Sequence, residues 1–218
     1  MESYLALVPL LVVAAGALGV LLVEAFLKKG DKEFLSYVPL AFLLAAGYFS
    51  VRSWGRDLAC FGGRLALDRL AVALWLLFAA AGALIVLLSM KFIARRGINR
   101  GEYYGLLLFA LSGLMVMVSS PDLIVVFLGL EVLSVSSYAL AGLNGKDRRS
   151  PEAAVKYFLM GSFASAFLIF GLALVYGAAG TLDIGRVWAE AARGASVSGT
   201  ALWAGLALVF AGLPSRSP

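Results

Sequence analysis

Two ionisable residues stand inside membrane-length apolar stretches: Glu131 in DLIVVFLGLEVLSVSSYALAGL and Lys156 in EAAVKYFLMGSFASAFLIFGLALVYG. A charge at bilayer depth costs about 2.5–3.5 kcal/mol on insertion scales, so a chain that keeps one is expected to use it. An acid and a base on consecutive spans suit proton transfer. Burial favours the neutral form of each, whereas an opposite charge ~4 Å away favours the ionised pair by ~4 kcal/mol at an effective dielectric near 20. A bundle that moves one partner relative to the other loads and releases a proton. The plainer readings are a snorkelling lysine and a structural carboxyl. Lys156 is one or two turns inside its span, within snorkelling reach of the headgroups. Glu131, near mid-span, has no such escape.

Helical spacing puts Ser134, Tyr138 and Gly142 on the face of Glu131, a polar stripe that belongs in a bundle rather than against lipid. On the next span Gly161 and Ser165 stand four apart, as do Ser162 and Ala166, a spacing of small residues that lets helices approach closely.

The elements that carry these residues follow from composition. The 218 residues are 62% hydrophobic and only 14% charged, the signature of a polytopic membrane protein of all-α class. Apolar runs predict spans at 4–27, 34–54, 70–90, 103–119, 122–143 and 152–177, with a partial seventh at 201–213. Glu24 falls in the last turn of the first span, where interface solvation accounts for it. Residues 55–68, with Gly62 and Gly63, read as a short hairpin or loop. Asp122 is placed to cap the fifth span; Ser150, Pro151 and Glu152 read as N-cap, first helical position and first-turn acid of the sixth. Between 178 and 200 the middle reads as a short amphipathic helix on the membrane surface.

No cleavable signal peptide is evident, because Glu2 and no basic residue precede a first apolar run far longer than a signal core. The loops after spans one, three and five carry ten Lys and Arg against six on the other side. This favours those loops as cytoplasmic and the amino terminus as outside. The net charge of +5 is spread through short loops, which argues against nucleic-acid binding. There is no histidine and Cys60 is the only cysteine. The usual ligand sets for iron–sulfur clusters, His-ligated haem and zinc are therefore missing.

Three stretches, LEVLSVSSYAL (130–140), EAAVKYFLMGS (152–162) and YGAAGT (176–181), resemble the antiporter-like membrane subunits of proton-translocating NADH:quinone oxidoreductase (complex I). Within that family they are most similar to the branch called subunit N. The resemblance implies the first half of an inverted-repeat fold, in the inner membrane of a bacterial cell and among other membrane-arm subunits. It implies that Glu131 and Lys156 belong to a proton relay, with Ser134 and Tyr138 in support. It implies no cofactor in this chain; flavin, iron–sulfur clusters and quinone are expected in partner subunits. After Leu213 the family continues with a Gly-Phe-Lys run, where this sequence has Pro214, Ser215, Arg216, Ser217 and Pro218. The expectation is a bundle over 1–213 and an aberrant tail at 214–218 from truncation or frameshift, with no vectorial transport by the chain alone. The competing readings are a subunit of a multisubunit cation/proton antiporter and a non-transporting structural fragment.

Overall fold

The computed structural model describes residues 7–26, 34–96, 100–192 and 197–213. Parts of three expectations lie outside the described residues: the first turn of span one, the charged loop at 28–33, and the tail at 214–218. Among the described residues six helical segments are long and apolar enough to cross a membrane. They are α1 (Val8–Phe26), α2 (Val38–Arg52, preceded by a single 3-10 turn at Phe34–Ser36), α3 (Arg69–Arg96), α4 (Arg100–Val118), α5 (Leu123–Gly142) and α6 (Arg149–Ala179). Two shorter helices follow, α7 (Ile184–Ala192) and α8 (Val197–Gly212). The all-α polytopic class holds, and each predicted span is met by a helix.

Span ends have local causes. Pro39 sits in the first turn of α2, where its missing N–H has no intrahelical partner to lose. Gly180 closes α6 in the left-handed region at φ 65°, its N–H donating to the Tyr176 carbonyl at 2.7 Å. Asp122 caps α5 as expected, accepting the Ile124 N–H at 2.9 Å. Ser150 does not cap α6, which already begins at Arg149. Its hydroxyl instead donates to the Ala141 carbonyl and accepts the Asn144 N–H at 3.2 Å, fastening the end of α5 to the start of α6.

Helix α4 is central, packed against α1, α3 and α5, while α6 packs against α5 and α8. Trp75, Tyr104, Leu108, Val72 and Val20 are fully enclosed in the core of the first four helices, and Trp75 Nε1 donates to the Met115 carbonyl at 3.0 Å. Phe127, Leu168, Leu172 and Val209 form a second core among α5, α6 and α8. Two crossings are glycine on glycine. A Cβ at Gly113 would lie 2.6 Å from the Gly129 carbonyl oxygen, and one at Gly171 would lie 2.8 Å from that of Gly205.

Residues 58–67 form a two-stranded antiparallel hairpin, β1 (Leu58–Cys60) and β2 (Leu65–Leu67), turned by Gly62 and Gly63 at positive φ. The hairpin grips the turn between α4 and α5. The Ala66 N–H donates to the Ser119 carbonyl at 2.7 Å, the Ser120 hydroxyl donates to the Arg64 carbonyl at 2.6 Å, and Arg64 pairs with Asp122 at 3.8 Å. That turn is bonded in its own right to the segment after α6, through Leu123 N–H to the Leu182 carbonyl (2.9 Å) and Ile184 N–H to the Pro121 carbonyl (2.8 Å). The amphipathic helix read after span six is α7. Its Val187 is buried against Val175 and Leu202, and Trp188 stays exposed.

Glu24 corrects an expectation. It is not solvated at an interface but 8% exposed, against the first turn of α4. The register of α1 on α4 decides this, and that register cannot be read from α1 alone.

Candidate functional site

Glu131 lies at the middle of α5, half-buried, on the side that meets α6. Opposite it, Ser165 Oγ lies 2.8 Å from Glu131 Oε1 and 2.9 Å from the Gly161 carbonyl oxygen, one turn back on α6. A serine hydroxyl has one proton to give and lone pairs with which to accept. When Glu131 is ionised, Ser165 donates to the carboxylate. When Glu131 is protonated, the carboxyl can donate to Ser165 Oγ, whose own proton turns to the Gly161 carbonyl. Either protonation state thus finds a hydrogen-bond partner without movement of a helix. This hydroxyl is what the sequence reading missed, having treated Ser165 only as a small residue at a crossing.

Tyr138, two turns along α5 from Glu131, lays its phenol over Gly161; a Cβ there would lie 2.0 Å from the hydroxyl oxygen. Glycine at 161 is therefore required for Tyr138 to reach α6, and it places a second hydroxyl one turn above the first. Ser134 is 8% exposed within the same stretch of α5. Of the three residues read as a stripe, Glu131 and Tyr138 both meet α6.

Lys156 is not brought to Glu131. It is exposed and pairs with Glu152 at 2.5 Å, one turn earlier on the same helix. Nine residues separate it from Ser165, about 13 Å along the axis and half a rotation around it. Lys156 thus projects from the face of α6 opposite to the one that meets Glu131. The apolar cleft between α6 and α8, lined by Met160, Phe163, Ala164, Phe167, Leu208 and Ala211, holds neither of them. Among the described residues there is no cluster of three metal-ligating side chains.

The family described as NADH:quinone oxidoreductase/Mrp antiporter, TM, matches residues 120–216, the portion that holds Glu131, Tyr138, Lys156 and Ser165. Over 206 residues the chain is 34% identical to a protein of Trichlorobacter lovleyi called NADH-quinone oxidoreductase subunit N. Over 207 residues it is 40% identical to one of the same name from Chloroflexus aggregans. Each alignment covers 94% of this chain and 42% of the relative, so the chain spans about two fifths of the length of these relatives. Among solved structures it is similar to a chain of respiratory complex I from Thermus thermophilus, with a TM-score of 0.75 and 30% identity over 94% of this chain and 43% of that one. A chain of an archaeal membrane-bound sulfane sulfur reductase gives a TM-score of 0.79 and 25% identity over 97% of this chain and 44% of that one.

Proposed function

We propose that the chain belongs to the NADH:quinone oxidoreductase/Mrp antiporter family of membrane subunits, a reading supported by its similarity to subunit N relatives over 94% of its length, and that it takes part in proton translocation within a respiratory NADH:quinone oxidoreductase, as a component of the subunit N type. The observation that carries the reading is the Glu131–Ser165 contact at 2.8 Å. A mid-membrane acid whose partner can both accept and donate holds a proton and gives it up without leaving a buried polar group unpaired.

In this proposal Glu131 is the proton-holding group, Ser165 its swivelling partner, and Tyr138 and Ser134 the hydroxyls that extend the polar stripe along α5. Lys156, exposed near the start of α6 and paired with Glu152, is proposed as the relay's member at the loop end, on the face of α6 turned away from Glu131. The partners are other membrane-arm subunits. Flavin, iron–sulfur clusters and quinone are proposed to sit in those partners, because a chain with one cysteine and no histidine lacks the usual ligands for such centres. The setting is the bacterial inner membrane with the amino terminus outside, as the excess of basic residues in alternate loops indicates.

The test is the assembled complex containing this chain with Glu131→Gln, reconstituted into vesicles. Expected is loss of proton uptake per quinone reduced, with assembly intact. Unchanged pumping would remove Glu131 from the mechanism.

A further inference from the structure

Glu24 is a buried acid outside the site just described, on a different helix. Its carboxyl group lies against Gly101, in the first turn of α4. A Cβ at position 101 would fall 1.9 Å from Glu24 Oε2 and 2.6 Å from Cδ, so only glycine leaves room for this side chain. The fit continues one turn along, where a Cβ at Gly105 would meet Leu21 at 2.7 Å. Near the level of Gly101, Tyr104 is fully buried, and its hydroxyl has no hydrogen-bond partner among the described residues. Enclosing polar groups such as these away from water is costly, so their placement has to be compensated by the contacts around them.

At its other end α4 touches α5 backbone to backbone. Gly113 and Gly129 approach so closely that a Cβ on either would lie within 2.7 Å of the other's carbonyl oxygen, two residues from Glu131. A crossing without side chains leaves little slack, so a displacement of α4 passes to α5 rather than being absorbed by rotamer changes.

We propose that Glu24 is a positioning residue for Glu131: seated on Gly101 it sets the place of α4, and the Gly113–Gly129 crossing carries that placement to the middle of α5. The inference rests on the reading of Glu131 as the working acid only for its importance, since the geometry stands without it.

The test uses the full chain in lipid vesicles and a hydrophobic carbodiimide as probe, with modification of the peptide containing Glu131 followed by mass spectrometry. Glu24→Gln and Gly101→Ala are each expected to raise the rate of labelling at Glu131 about three- to tenfold, as a coupled displacement loosens its contact with Ser165. The double variant should exceed neither single by more than about half of that effect, because both act through one contact. An unchanged rate at Glu131 in both singles overturns the proposal, even if their thermal stability falls, because that is the signature of a purely structural role. Fully additive effects overturn it as well. Where E24Q does not insert, Glu24→Asp shortens the side chain and keeps the charge, and is read by the same criterion. Failure here leaves the pumping test of Glu131→Gln untouched, and failure there leaves this coupling untouched.

Discussion

Substituting alanine for glycine at chosen positions makes one chemical change with opposite expected signs. Gly113→Ala places a methyl carbon 2.6 Å from the Gly129 carbonyl oxygen and 2.8 Å from the Leu133 backbone nitrogen. Ordinary contact begins near 3.4 Å and both obstacles are backbone, so α4 and α5 must part by about 0.8 Å. A gap of that size forfeits a quarter to a half of each contact's attraction, and overpacking generally costs ~1–3 kcal/mol. The upper half of that range applies, because no flexible side chain can yield. Against it stands a gain of about 0.5–1 kcal/mol from replacing a helical glycine. The net is a destabilisation of about 1–2 kcal/mol. Gly47 in α2 and Gly177 in α6 have nothing within 4 Å of the added carbon, so alanine there keeps only the gain. The contrast of about 2–3 kcal/mol amounts to roughly 5–10 °C in thermal midpoint for a chain of this size. Melting of the three variants in one detergent, followed by circular dichroism, measures it. A Gly113→Ala chain as stable as Gly47→Ala would refute the crossing.

Ser165→Ala removes the donor to Glu131 and is expected to raise carbodiimide labelling at Glu131 several-fold. Ser162→Ala, whose hydroxyl bonds the Phe158 carbonyl at 2.7 Å, should leave the labelling unchanged. Asp122→Ala loses the cap of α5 and the pairing with Arg64; a loss of about 1 kcal/mol is expected, read as a lower thermal midpoint, and no change would discount the cap. Burial pushes the Cys60 thiol up, so maleimide labelling at neutral pH should be slower than for an unfolded control. By linkage, a pKa raised in the folded state gives a contribution fully present below the ordinary thiol range and lost as pH climbs through the folded value. Stability should therefore fall on the alkaline side, and equal labelling of folded and unfolded chain would contradict both statements.

The spans were legible because membrane thickness fixes how many apolar residues a crossing needs, whatever packs around them. Asp122 was legible because capping is local to a few residues. Ser150 was not, although Ser-Pro-Glu is a strong start signal: the Ala141 carbonyl at the end of α5 recruits its hydroxyl, and the helix begins earlier. Helices apolar on all sides carry no phase, so hydropathy could not say which residue of α6 meets Glu131. That register placed Ser165 there and turned Lys156 to the far face. Glu24 was misjudged for the same reason, since its burial depends on a glycine 77 positions later in the chain.

Helices α5 and α6 are joined at both extremities, by the Ser150–Ala141 contact at one and the Pro121–Ile184 and Leu123–Leu182 bonds at the other. A beam pinned at its two supports cannot slide or swing; it can only flex, and most at its centre. The carboxyl of Glu131 and the hydroxyl of Ser165 occupy that centre. A push on α5 from any neighbour would therefore reach them as a change in the gap they span, with both anchorages at rest.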